Sequence, residues 1–471
     1  MNLIWQSELR QVVGDTYVSF NPADHERYVS DWFGRETGLA VAVVRPRCVD
    51  EVAAVVACCY RHGVSIVPQG GNTGLVGGAL PDASGRQCVL SLERLNNIRS
   101  IDPAGKVITV EAGVLLAQVQ DAASSEGLEF PLSMGSEGSC TIGGVLSTNA
   151  GGTAVLRYGN ARALCLGLEV VTAEGEIFNG LRQLRKDNTG YDLRDLFIGA
   201  EGTLGIITAA VLSMVPAPKA KLSAFVALES AEKAVALLDL VQAEVGPLLT
   251  AFELISNTCL QLVARYFSQM AYPFAQSTPY AVLLELSDHE SEEHALASIE
   301  RVMELAIARG LATDVLLPQS LAQSNKFWDI REHIPLSQVQ DGKNVKHDIS
   351  LPISKIPLFL TQAELLIAAL HPGARIIAFG HLGDGNLHFN IAAPLNQSVE
   401  TIFQNKVAIT DGINELVTSL NGSISAEHGI GKMKVQDLAR FKSEVEMRLF
   451  RKIKQALDPQ CIFNPGKILS H

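Results

Sequence analysis

Pro68-Gln69-Gly70-Gly71-Asn72-Thr73-Gly74-Leu75-Val76-Gly77-Gly78 is the stretch on which the reading of this sequence turns. It follows Val64–Val67, a short apolar run that reads as a buried strand. Five glycines in eleven residues let the backbone adopt positive φ and turn N–H groups toward an anion. The stretch holds neither GxxxxGK[ST] nor GxGxxG, so it is neither a Walker loop nor a dinucleotide fingerprint. A plain surface loop would pair glycine with Ser or Lys, and Leu75 and Val76 argue against that. Taken alone, the segment leaves anion binding and a plain loop equally open.

Two more clusters change the balance. Met134-Gly135-Ser136-Glu137-Gly138-Ser139-Cys140-Thr141-Ile142-Gly143-Gly144 runs into Ser147-Thr148-Asn149-Ala150-Gly151-Gly152, and Gly199-Ala200-Glu201-Gly202-Thr203-Leu204-Gly205 leads into Ile206-Ile207. Small residues allow close approach to a flat or phosphorylated ligand, and Ile142–Asn149 could offer a helix N-terminus to a diphosphate. Three such clusters in the first 207 residues imply a large, extended, phosphate-bearing ligand.

Working outward, Ala40–Val44, Val89–Leu92, Val107–Ala112, Leu166–Thr172 and Ile206–Val215 read as strands, with a helix at Val49–Tyr60. Pro216, Pro218 and Lys219 mark a boundary. Beyond it, helical stretches (Ser230–Glu244, Glu290–Arg309, Val399–Leu420, Ser443–Leu457) alternate with strands such as Ala281–Leu286, which predicts an antiparallel α+β domain. The expected division is 1–218, 219–420 and 421–471. With 471 residues the chain is too long for one core.

Lys and Arg number 38 against 50 Asp and Glu, a net charge of 38 − 50 = −12, which argues against nucleic-acid partners. The N-terminus lacks the features of a signal peptide, and no apolar run approaches the roughly 20 residues of a membrane helix. The eight cysteines are scattered without a C-x-x-C and read as reduced core thiols. A cytoplasmic protein is expected, with peripheral membrane association left open.

A second informative stretch is Gly380-His381-Leu382-Gly383-Asp384-Gly385-Asn386-Leu387-His388-Phe389-Asn390. Gly-Asp-Gly-Asn is turn chemistry between strands at Ile376–Phe379 and Leu387–Ile391, so His381 and His388 can face each other. His388 and Asn390, two apart, project from one side of a strand. Ala426-Glu427-His428-Gly429 adds a carboxylate and a third imidazole. Any one histidine is most often bland, but three lie inside two glycine-flanked motifs beside one carboxylate, and two imidazoles with a carboxylate suit zinc with open positions, or Mn²⁺ or Fe²⁺.

PQGGNTGLVGG, GSCTIGG with TNAGG, Arg157–Gly159, LRKDNTGYDL (Leu184–Leu193) and IGAEGTLGIIT (Ile198–Thr208) together resemble the FAD-binding fold of the vanillyl-alcohol oxidase and p-cresol methylhydroxylase family. Within it the chain resembles the D-2-hydroxyglutarate and D-lactate dehydrogenase branch, through Ala251-Phe252-Glu253-Leu254 to the closing Asn464-Pro465-Gly466-Lys467. The resemblance implies a two-subdomain FAD-binding domain, an antiparallel-sheet-and-helix substrate domain, and a C-terminal segment returning to the first. It assigns to FAD Pro68, Gln69, Gly70, Gly71, Asn72, Thr73, Gly74, Leu75 and Gly77 of the first loop. From the second come Gly135, Ser136, Gly138, Ser139, Ile142, Gly143, Gly144, Thr148, Asn149 and Gly152, and from the third Glu201, Gly202 and Ile206, with Asn464 from the tail. Many relatives attach flavin through a histidine in the first loop; here it has Asn72 and no His, so dissociable FAD is expected.

The resemblance also assigns His381, His388 and Glu427 as metal ligands and His428 as catalytic base, with Arg331, Lys346 and Asn390 beside it on the substrate. The implied reaction is oxidation of a D-2-hydroxy acid: the metal acidifies the hydroxyl, His428 takes the proton, and hydride leaves Cα for the flavin. Pro335, four past Arg331, cannot donate a hydrogen bond where glutarate-oxidising relatives can place a hydroxyl. D-2-hydroxyglutarate is the first expectation, with D-lactate, D-malate or a flavin subunit of a glycolate-oxidase-like complex as alternatives. A quinone or an electron-transferring flavoprotein is the expected acceptor, and a homodimer is left open.

Overall fold

The computed structural model describes residues 3–32, 34 and 36–470. The chain forms two compact units, the first from Met1–Gly152, Gly159–Ala217 and Glu427–His471, the second from Thr153–Tyr158 and Pro218–Ala426.

In the first unit, Ala40–Val44, Gln87–Ser91 and Ile66–Gln69 form a parallel sheet edged by Val18–Ser19. The helix Val49–His62 has Asp50 and Glu51 in its first turn, where they oppose the helix dipole, and stops at Gly63 with φ 64°. It buries Val52, Val55, Val56 and Cys59, while Leu3–Val13 packs Trp5, Leu9 and Val13 into the same core. A second, antiparallel sheet runs Ile98–Asp102, Val107–Glu111, Ile206–Ser213, Cys165–Val171, Ile177–Gly180. The chain's tail returns to the first sheet: Ile66 N–H donates to Ile462 and Asn464 N–H donates to Ile66, both at 2.7 Å.

The second unit is a seven-stranded antiparallel sheet ordered Asp314–Leu316, Ala220–Leu228, Tyr280–Asp288, Leu249–Ser256, Arg375–His381, Asn386–Ala392, Asp348–Ser350. Strand alternation sorts its side chains. Phe252, Leu254, Leu387, Phe389 and Ile391 join a core with the helices Ala231–Val245, Glu292–Ala308 and Ile356–Leu370. The opposite face, with Ile255, Ile377 and Phe379, is covered by Asn257–Tyr266 and Leu321–Asp341. One segment, Ile353–Leu370, is long and apolar enough to cross a membrane, yet it sinks Phe359, Ala363 and Ile367 into the core.

The expected helix Val399–Leu420 is two helices, Glu400–Gln404 and Lys406–Ser419. Asn405 breaks it, because its amide donates to the carbonyl of Leu370 and bonds the ring of His371. Leu321–Asp341 was not expected as a helix, and Pro335 lies inside it. Proline has no N–H for the carbonyl of Arg331, so the helical ladder is interrupted beside the site residue itself. All eight cysteines are free thiols, and burial pushes those of Cys165 and Cys259 up to about 12.

Candidate active site

The glycine clusters of the first unit press on one another. A Cβ on Gly71 would lie 2.0 Å from the Ser139 carbonyl, and one on Gly70 2.2 Å from the Thr141 hydroxyl. Gly202 meets Pro68 in the same way, at 2.5 Å, so the first loop touches both others. Gly143 and Gly152 are packed against Ala112 and Ser133. Gly74, Gly135 and Gly138 have open space instead, which leaves their backbone free for a ligand.

Several residues assigned to the cofactor instead hold these loops in place. Gln69 donates to the carbonyls of Tyr28 and Ala79, Asn72 to Ser30, Thr148 to Gly144, and Asn149 accepts from Arg162. Asn464 donates to the carbonyls of both Gly78 and Glu201, joining tail, first loop and third loop. Asn72, Asn149, Glu201 and Asn464 all hold positive φ, between 44° and 55°. Ser136 makes the turn that receives Ser139 and Cys140, while Ile142 and Ile206 are buried, Thr73 is half-buried and Leu75 is exposed.

Gly70, Gly71, Asn72, Ser139 and Thr141 line a cleft of about 980 Å³. The Thr141 hydroxyl in it is buried without a hydrogen-bond partner among the described residues, a cost of about 1–3 kcal/mol unless a ligand answers it. Glycine backbones, an unanswered hydroxyl and open volume fit a large phosphorylated cofactor. One group went unnoticed in the sequence: Lys467 is buried, its pKa pushed down to about 8 by burial.

The second unit gathers its site on one sheet face. Glu253 and His381 are register partners on adjacent strands, as are Phe379 and His388, and His388 and Asp348. The turn through Gly383 and Gly385 brings the His381 and His388 rings to 6.1 Å between centroids. Glu253 is fully buried and takes His381 Nδ1 at 2.5 Å on one oxygen and Arg331 Nε at 2.6 Å on the other. Burial raises a carboxyl pKa, but the charges of His381 and Arg331 outweigh it and hold Glu253 down to about 2. An ionised carboxylate only accepts, so His381 presents a proton on Nδ1 to Glu253; a metal would take the neutral form of this ring, with its lone pair on Nε2.

Arg331 reaches this face from its helix and lies 4.9 Å from the centroid of Phe379, whose ring packs 4.9 Å from that of His388. Asn390 shares the face but is spent as a brace, accepting from His347 N–H and donating to Gln338. Lys346 is exposed. Asp348 accepts from Asn386 and from the N–H of Ala426, so the chain leading to Glu427 is tied down. In the first unit, His428 Nε2 lies 3.6 Å from Glu427 Oε1. Both oxygens of Glu201 take backbone N–H groups just beyond, from Ile430 and Gly431 at 2.7 Å each.

Comparison with known proteins gives the family. Residues 217–468 match the C-terminal domain of FAD-linked oxidases, and residues 40–180 match an FAD-binding domain. A D-2-hydroxyglutarate dehydrogenase of Xanthomonas citri pv. viticola is 38% identical, covering 98% of this chain and 96% of that protein. One from Stutzerimonas stutzeri is 34% identical over 98% of each. The mitochondrial enzyme of Arabidopsis thaliana is 35% identical, covering 99% of this chain and 81% of its own. Among solved structures, p-cresol methylhydroxylase has a TM-score of 0.79 at 16% identity, covering 99% of this chain and 96% of that one, which speaks for the fold.

Proposed function

The chain belongs to the FAD-linked oxidase family, and from that premise we propose that it oxidises D-2-hydroxyglutarate to the 2-oxo acid. The observation that carries this reading is the near full-length likeness to D-2-hydroxyglutarate dehydrogenases. A sheet face that sets Arg331 and His381 on one buried carboxylate supports it.

The cleft beside Thr141 would hold FAD, which when bound accepts the hydride lost from the substrate's Cα. His381, His388 and Glu427 would hold Zn²⁺, Mn²⁺ or Fe²⁺, whose Lewis acidity favours loss of the α-hydroxyl proton. His428 accepts that proton at a ring nitrogen, with the backbone beyond it clamped by Glu201. Arg331 presents a planar fork to a carboxylate and Lys346 a point charge. The substrate thereby loses one proton and one hydride, two electrons in all. The electrons pass onward to a quinone or an electron-transferring flavoprotein.

Pro335 favours a second reading. One turn from Arg331, it offers no hydroxyl to a distal carboxylate, which suits D-lactate, a monocarboxylate, while D-malate stays in the comparison as a shorter dicarboxylate. An anaerobic panel of D- and L-2-hydroxy acids, followed by flavin bleaching with metal present, decides. Fastest bleaching by D-2-hydroxyglutarate supports the first reading; fastest bleaching by D-lactate or D-malate supports the second. No bleaching by any D-2-hydroxy acid overturns both.

A further inference from the structure

We propose that Glu253 is a positioning residue that sets the metal ligand His381 and the carboxylate-binding Arg331 from a single buried carboxylate. The proposal rests on the function argued above. It concerns a residue that touches neither substrate nor cofactor and acts through its two partners.

Glu253 sits mid-strand in Leu249–Ser256 and is 0% exposed. A carboxylate there is costly unless its lone pairs are answered. Two charge-assisted bonds answer it, His381 Nδ1 at 2.5 Å and Arg331 Nε at 2.6 Å, one to each oxygen. The first partner comes from the neighbouring strand at the paired position, the second from a helix 78 residues further along the chain.

Each bond uses the nitrogen of its partner that the proposed ligand does not need. In the neutral ring, donation from Nδ1 puts the His381 lone pair on Nε2, the tautomer that a metal requires. Anchoring Arg331 through Nε leaves its terminal nitrogens, which make no hydrogen bond among the described residues. Those nitrogens are the bidentate edge that matches a carboxylate. Phe379 fixes the guanidinium from its face, 4.9 Å away, and stacks on to His388. Loss of Glu253 therefore frees two functional groups at once, whereas a merely structural ion pair would cost stability alone.

Glu253→Gln separates the two roles. Glutamine keeps one acceptor oxygen, so its NH₂ must confront either Arg331 Nε or His381 Nδ1, donor against donor. The full chain with FAD is measured for metal affinity by chelator competition, for KM and kcat on D-2-hydroxyglutarate, and for far-UV circular dichroism. We expect folded, yellow protein with metal affinity weakened about 10–100-fold and KM raised roughly tenfold or more. Glu253→Gln that is folded, binds metal as tightly as wild type and keeps its KM overturns the proposal and leaves the functional reading intact. A wild-type protein that binds no divalent metal overturns both. Should the variant not fold, the histidine ¹⁵N spectrum of zinc-loaded wild type decides: a protonated Nδ1 on His381 is expected, and a bare Nδ1 overturns the assignment.

Discussion

The carboxylate of Glu201 accepts the backbone N–H of Gly431 at 2.7 Å while its other oxygen takes that of Ile430 at the same distance. The third glycine cluster thus grips the chain two and three residues past His428. Gly429, at φ 82°, leaves no room for a side chain, since a Cβ there would lie 2.8 Å from the same carboxylate. Glu201→Gln keeps one acceptor and turns an NH₂ on the other N–H. The expected loss is about 1.5–3 kcal/mol, read as a lower Tm, together with a fall in kcat larger than any change in FAD affinity.

Two glycines of one loop should behave oppositely. Gly71→Ala forces a methyl to 2.0 Å from the Ser139 carbonyl, so the first two clusters must part. We expect lost FAD binding and a destabilisation of about 2 kcal/mol or more. Gly74→Ala meets nothing within 4 Å and should leave Tm unchanged. Any effect of that variant on FAD affinity then reports the approach of the cofactor rather than of protein.

His428→Ala should keep FAD absorbance and bound metal while slowing anaerobic bleaching by about 10²–10⁴-fold. Full bleaching in the variant would remove His428 as the base.

The Lys467 ammonium makes no hydrogen bond or ion pair among the described residues, although the residue's carbonyl accepts from Leu469 N–H. Burial lowers its pKa from 10.5 to about 8, with Asp82 opposing and Lys432 reinforcing the shift. Because the folded pKa lies below the unfolded one, the buried ammonium costs stability at every pH below about 8. That cost is relieved as pH rises from about 8 to 10.5. Lys467→Met should raise the stability of the FAD-free protein by about 1–3 kcal/mol at pH 7 and by less at pH 9.5, as thermal melts at the two values would record.

Much of the architecture can be read from local pattern. Ala40–Val44 and the helix from Val49 lie where β-branched runs and 3.6-residue spacing put them. The hairpin carrying His381 and His388 forms because Gly383, Asp384 and Gly385 are turn residues between apolar strands, with the Asp384 carboxylate taking Asn386 N–H. The helix Leu321–Asp341 escaped that logic, since Pro335 signals a break that packing of Ile330 and Ile334 against the sheet overrides.

The sequence by itself determined which residue types could do chemistry here: glycine clusters too dense for ordinary turns, and imidazoles beside carboxylates. Tertiary structure alone decided how those residues are employed. Glu253 lies 128 residues from His381 and 78 from Arg331, and only strand register and helix docking make it their common partner. Likewise Asn390, free in the sequence to bind substrate, has its amide spent on His347 and Gln338. Residue identity limits the bonds a side chain can make, but a buried polar group takes the partners the fold brings within about 3 Å.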